Sequence, residues 1–265
     1  MSVAVAGTVR RIEPTFVHRP WGREDLSPLF GTFKEKKGEV WFPVGADFPL
    51  LVKFLFTSDR LSVQVHPDDA SAGLAGESRG KTEMWHVLSA EPGATVAVGM
   101  KAPATSTELR SRIADGTVVG MLNWIPVKAG DTIYVPAGTV HALGRGLIVC
   151  EVQQNSDVTY RLYDYGSGRE LHLEKALAVS RTEVYDGRRE LPVHCEHFTT
   201  DLLEFSARET SHVECDHLLV TLTGSGTIAG EAFSAGECWF VPAGSGPVEL
   251  RGETVCTVLR TRCPK

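Results

Sequence analysis

The sequence predicts an all-β protein, a barrel or sandwich with a smaller second lobe of the same kind, on three observations. Short β-rich runs punctuated by Gly, Pro and Asp dominate the chain, helical patterns are few, and one stretch recurs late in altered form. With 265 residues, 42% of them hydrophobic, the chain can bury the core of one large β domain or of two smaller ones.

The strand runs follow one another as PLLVKFLF, LSVQVHP, TEMWHVL, TVAVGM, DTIYVPAG and LIVCEVQQ, each of strand length and bounded by turn residues. Two helices interrupt them. STELRSRIADG offers Ser106 as N-cap and Gly116 as its end, and LHLEKALAVSR sets Leu173, Ala176, Leu177 and Ser180 on one stripe. The second helix is expected to join the two lobes. Past the turn-rich YDGRRELPV the β pattern returns in HLLVTLTGSGTIAG and ECWFVPAGSGPVEL, which places a boundary near Leu191, with 1–190 as the first domain and 191–265 as the second.

The recurrence is informative. KAGDTIYVPAGTVHAL and SAGECWFVPAGSGPVEL share a frame ending in VPAG, but where the first continues to His141 the second has only Ser245, Gly246 and Pro247. The first lobe is therefore expected to hold the site, and the second to be structural.

Other classes are excluded by composition. The formal charge is -6 and no Lys/Arg-rich block exists, which argues against nucleic acid or an anionic membrane as the main partner. The apolar runs are far shorter than a membrane span, and MSVAVAGTVRRIE lacks the order of a secretory signal, so the chain reads as cytoplasmic. Six scattered cysteines without a CxxC pair fit reduced thiols.

The chemistry begins at QVHPDD. Residues two apart on a strand share a face, so Gln64 and His66 project one way and Val63 and Val65 the other. In GKTEMWHVL, Lys81, Glu83 and Trp85 share one face. His141 follows the VPAG turn. Two neutral imidazoles, a carboxylate and an amide oxygen suit zinc or another divalent first-row ion, one per chain, with room left for water or substrate. A lone histidine on a strand is usually a packed or surface residue, so the weight rests on the set rather than on any of the nine histidines. His194 and His197 in VHCEHF also look like ligands but lack a second half. Trp85 and Trp21 read first as packing residues.

In several motifs that agree in order, PLLVKFL, LSVQVHPDD, GKTEMWHVL, VPAGTVHAL and EVQQNSDVTYRLYDYG, the chain resembles the type I mannose-6-phosphate isomerases, metal-dependent cupins. The resemblance implies a cupin (jelly-roll) barrel with a reduced cupin-like second lobe, and interconversion of mannose 6-phosphate and fructose 6-phosphate through a cis-enediol. It implies Gln64, His66, Glu83 and His141 as metal ligands, with zinc the usual ion, and Arg161, Lys81 and Glu151 as catalytic residues. Asp157 matches a further acidic position. The partner implied is a small sugar phosphate. The chain lacks the large helical insertion of the longest members, and Ser167 and Gly168 extend the YDYGR stretch, which is expected to shift a loop outside the site. Two other readings stay open on the residues alone: an iron-dependent cupin oxygenase, and a sugar-binding cupin without turnover.

Overall fold

The computed structural model describes residues 7–264; residues 1–6, part of the stretch read for a targeting signal, lie outside them. In chain order the first part of the chain forms β1 (Arg10–Ile12), β2 (Thr15–Asp25), β3 (Thr32–Phe42), β4 (Leu50–Phe56), β5 (Val63–Val65), β6 (Glu83–Ala90) and β7 (Thr95–Met100). It continues with β8 (Leu122–Pro126), β9 (Thr132–Val135), β10 (His141–Leu143), β11 (Leu147–Gln154), β12 (Tyr160–Tyr163) and β13 (Arg188–Arg189). Apart from β1, these strands make a seven-stranded sheet, β13-β9-β6-β11-β4-β3-β2, and a five-stranded sheet, β12-β5-β10-β7-β8. Leu55, Trp85, Ile133 and Val149 of the first sheet pack with Val96, Val98, Ile125 and Leu143 of the second in one cluster, the interior of a cupin barrel.

The second lobe repeats the plan on a smaller scale. It is built from β14 (Val193–His194), β15 (Thr199–Phe205), β16 (Arg208–Ser211), β17 (His217–Thr223), β18 (Ser225–Ile228), β19 (Glu231–Ser234), β20 (Cys238–Val241), β21 (Val248–Gly252) and β22 (Cys256–Arg262). A six-stranded sheet, β1-β20-β17-β22-β15-β14, and a four-stranded sheet, β16-β21-β18-β19, enclose Leu219, Trp239, Val258, Ile228 and Leu250. The early strand β1 thus pairs with β20 and completes a sheet of the late lobe.

The composition of β4 follows from its place between two cores. Leu50, Val52, Phe54 and Phe56 face away from the barrel into a cluster shared with Leu218, Val220 and Leu259 of the second lobe, while Leu55 faces inward. A strand covered on both faces reads as a continuous apolar run rather than an alternating one. Phe54 is fully buried there, and truncation to alanine should cost about 3–5 kcal/mol.

The helices differ in detail from the sequence expectation. The helix expected to start from Ser106 runs Ser106–Ala114 and is capped one residue earlier, by Thr105, whose hydroxyl accepts from the Glu108 N–H; Gly116 follows in the left-handed region at φ 76°. The expected joining helix, Leu173–Val179, packs through Ala176, Leu173 and Leu177 within the first lobe, beside Val65 and Leu162. Ser180 lies past its end, donating to the Ala176 carbonyl. The connection between lobes is the extended stretch after it, which passes through β13.

Candidate active site

Three strands of the first lobe bring the polar set together. Gln64 lies on β5 and His66 just past its end, Glu83 opens β6, and His141 opens β10 directly opposite Gln64. His66 Nε2 is 3.5 Å from Glu83 Oε2, and His141 Nε2 is 3.5 Å from Glu83 Oε1. Ligand atoms of these three residues all lie within 4.8 Å of one another, and among the described residues no other group of His, Cys, Asp and Glu reaches that spacing.

The hydrogen bonds around the imidazoles fix what they offer. His66 Nδ1 donates to the Val158 carbonyl at 2.8 Å, and His141 Nδ1 donates to the Thr139 carbonyl at 2.8 Å. Both rings therefore keep the Nε2 lone pair for the centre of the set, as metal-binding histidines do. Burial, with the Lys81 charge and His141 beside it, holds His66 well below the usual imidazole range. Burial likewise lowers His141, to about 4. Neutral imidazoles are the form that can coordinate a cation.

Glu83 is 1% exposed, and neither of its carboxylate oxygens accepts a hydrogen bond of proper geometry. A buried carboxylate in that state needs a cation. The Lys81 ammonium supplies part of one, 2.8 Å from Oε2 and 3.1 Å from His66 Nε2. The donor set of two imidazoles and a carboxylate facing one point fits a divalent metal. Gln64 stands at the edge, its Nε2 3.3 Å from His141 Nε2. Half a turn of the carboxamide puts Oε1 in the same place as a fourth donor.

Beside this centre, reached through Gln64 and Lys81, lies a cavity of about 450 Å³ lined by charged groups, among them Arg19, Lys53, Lys81, Glu151, Asp157, Arg161 and Arg169. Lys81 is buried, which by itself disfavours the ammonium, but the carboxylates of Glu83 and Glu151 outweigh this and raise its pKa. The geometry therefore keeps Lys81 charged, a donor rather than a base. Glu151 is held by the Trp85 indole N–H at 3.0 Å and by Lys53 at 3.5 Å, while burial, then repulsion from Glu83, raises its pKa. Trp85 is thus more than packing. Arg161 anchors itself to the Glu170 carbonyl at 2.8 Å and keeps a buried, unpaired Nε.

Sequence reasoning missed Lys53. Its signal was present, a single cation inside the otherwise apolar LLVKFLF, 3% exposed and stacked 4.4 Å from the Trp41 ring. It also missed the pair beside it, Arg19 and Glu39, whose guanidinium and carboxylate meet at 2.9 and 3.1 Å. The loop extended by Ser167 and Gly168 is not displaced from the site: Arg169 lines the cavity and pairs with Asp164. His194 and His197 lie elsewhere, His194 bonded to Thr199 and His197 to Glu196. A larger, open groove of about 1030 Å³ runs between the lobes past His86 and Arg189. Its lining brings together no converging set of ligands, so the smaller cavity is the candidate site.

No family model matches the chain. Curated relatives do. It is 34% identical over 301 residues to the probable mannose-6-phosphate isomerase GmuF of Bacillus subtilis, covering 91% of this chain and 95% of that one. It is 36% identical over 238 residues to mannose-6-phosphate isomerase ManA of the same organism, covering 81% and 75%. Among solved structures, the mannose 6-phosphate isomerase of Bacillus subtilis matches with a TM-score of 0.85 at 28% identity over 95% of this chain and 98% of that one. A point mutant of phosphomannose isomerase from Salmonella typhimurium shares the fold at a TM-score of 0.77 and 15% identity, over 98% and 100%. With a relative matched over nearly its whole length, and with the barrel and its buried centre as described, the chain belongs to the mannose-6-phosphate isomerase family.

Proposed function

We propose that the cavity of the first lobe interconverts mannose 6-phosphate and fructose 6-phosphate through a cis-enediol, with one divalent metal per chain, zinc in the first instance, held by Gln64, His66, Glu83 and His141. The carrying observation is the buried Glu83 carboxylate, its oxygens 3.5 Å from the Nε2 atoms of two imidazoles whose Nδ1 atoms are each tied to a backbone carbonyl, which leaves Nε2 as the atom able to coordinate. When bound, the metal supplies a Lewis acid for the sugar oxygens at C1 and C2. Lys81, kept charged by its carboxylate neighbours, donates to the oxygen on which the enediol's negative charge develops. Glu151 offers a carboxylate whose proton affinity is raised, fixed in direction by Trp85 and Lys53, to carry a proton between the two carbons. Arg161, with Arg169 near it on the cavity wall, presents a permanently charged fork to the phosphate.

The iron-oxygenase reading shares the two-histidine, one-carboxylate set, but a cavity wall carrying Lys81, Arg161 and Arg169 suits an anionic sugar better than dioxygen. A silent binder gives no reason for Lys81 against Glu83. Residence in the cytoplasm fits six cysteines that are all free. No helix among the described residues is long and apolar enough to cross a membrane. The test is to strip the protein of metal, restore single metals and assay a panel of hexose 6-phosphates. Isomerisation confined to mannose and fructose 6-phosphates, returning with zinc or another first-row ion, is expected; none with any ion would sink the assignment.

A further inference from the structure

Four consecutive polar side chains end β11 and the turn beyond it, and each ties down the backbone of another segment or of the turn itself or, for Gln154, receives a backbone N–H. Gln154 accepts from the Thr82 N–H at 2.8 Å, beside Lys81 and Glu83, and donates to Asp69 at 2.8 Å. Asn155 donates to the carbonyls of Gly45 at 3.0 Å and Phe48 at 2.9 Å. Ser156 donates to the Arg79 carbonyl at 3.1 Å. Gln153 turns back on the turn itself, its Nε2 donating to the carbonyls of Gln154 at 2.7 Å and Ser156 at 2.6 Å.

Gln153 is the one whose presence needs explaining. It is wholly buried, its cross-strand partner on β6 is Glu83, and its Oε1 has no hydrogen-bond partner. An unpaired buried acceptor is a cost that an apolar side chain of the same size avoids. What the apolar side chain cannot do is hold two carbonyls of one turn at once. The residues that leave this turn are Asp157, which lines the cavity, and Val158, whose carbonyl fixes the His66 ring.

We propose that Gln153 is a positioning residue for the isomerisation, its amide N–H groups setting the turn that places Asp157 against the substrate in the cavity. This rests on the functional reading above, with Asp157 facing substrate. Errors of an ångström in such placement cost up to about a hundredfold in rate.

The experiment is a double-mutant cycle on metal-loaded protein. Gln153→Met and Asp157→Asn are made singly and together, and kcat, KM, bound metal and unfolding by urea are measured for each. Gln153→Met is expected to keep its metal and lose about tenfold in kcat with little change in KM. The double variant is expected to be no slower than the slower single one, since both act through one carboxylate. Gln153→Asn keeps the amide but is one methylene too short to reach both carbonyls; it should share the loss, and it serves if the methionine variant does not fold. Parental kcat in a folded Gln153 variant overturns the proposal. So do losses that multiply in the double variant, a loss explained wholly by missing metal, or an unimpaired Asp157→Asn. A parent that isomerises no hexose phosphate marks instead a failure of the functional reading.

Discussion

The two lobes share a strand frame and differ in what they point inward. In the first, Glu83 stands opposite Val135 of the VPAG turn; in the second, His217 stands opposite Val241 of the matching turn. Two residues further along each pair of strands, Trp85 meets Glu151, and Leu219 meets Arg260. Glu151 in turn faces Lys53, and Arg260 faces Asp201. Each barrel therefore carries one inward ion pair at the same place with its polarity reversed, at 3.5 Å in the first lobe and 2.5 Å in the second. Pro247 takes the position that His141 occupies, six residues after the valine. The frame is thus indifferent to chemistry. The metal centre needs donors from three separate segments, and the second lobe, with His217 at the Glu83 position and Pro247 at the His141 position, keeps the strands without that convergence.

The strongest way to break this contrast is to remove a donor from the first lobe. His66→Ala and His141→Ala should each lose stoichiometric metal, measured by elemental analysis, and activity with it, falling by a factor of about a thousand or more. Full metal content in both variants would show that the ion is held elsewhere, the second lobe included.

Lys81→Met tests the charge that has no counterpart in the second lobe. Fold and metal should survive, because an ammonium donates no lone pair, while kcat falls about a hundredfold. Turnover near the parental rate with metal in place would take Lys81 out of the chemistry.

Much of the contrast was legible in the sequence, because it depends on strand periodicity. The alternation in VQVH and KTEMW gave shared faces for Gln64 and His66 and for Lys81, Glu83 and Trp85, and the VPAG repeat located His141 against Pro247. What escaped depended on pairing between distant segments. Nothing local in RRI announces that β1 crosses to the second lobe, or in LLVKFLF that Lys53 will meet Glu151 across β11. The long hairpin of β2 and β3, which brings Arg19 and Glu39 to the cavity, is rich in charge and broken by register shifts, so it shows no clean period of two.

A subtler test takes the reversed ion pair of the second lobe. Arg260 is bound by both carboxylate oxygens of Asp201, at 3.1 and 2.5 Å, with little of either side chain exposed. Asp201→Asn should cost about 2 kcal/mol in urea unfolding by leaving that guanidinium underpaired, while kcat per folded chain stays parental. A fall in kcat at unchanged metal content would mean that the second lobe reaches the chemistry.

The smallest effect expected lies at His217, which occupies the register position of Glu83. Burial lowers its pKa first of all, and the Arg260 and Arg262 charges act in the same direction against the Cys215 carbonyl and Asp201. Its Nε2 is met by the Ser211 hydroxyl at 3.2 Å, which can donate to the neutral ring that burial favours. In the unfolded chain the same ring protonates near its ordinary value of about 6.5. Below that pH the unfolded state binds the extra proton and the folded state does not, so stability present above about 6.5 is lost as pH falls toward the lower folded value. The slope is at most about 1.4 kcal/mol per pH unit. His217→Gln cannot titrate, and the other buried histidines are common to both proteins. The difference in unfolding free energy between parent and variant, followed by urea denaturation from pH 7.5 to 5.5, therefore isolates this one ring. The parent should lose ground to the variant as pH falls. Parallel curves would mean that His217 takes up its proton without penalty, and that the second barrel accommodates a charge where the first one holds Glu83.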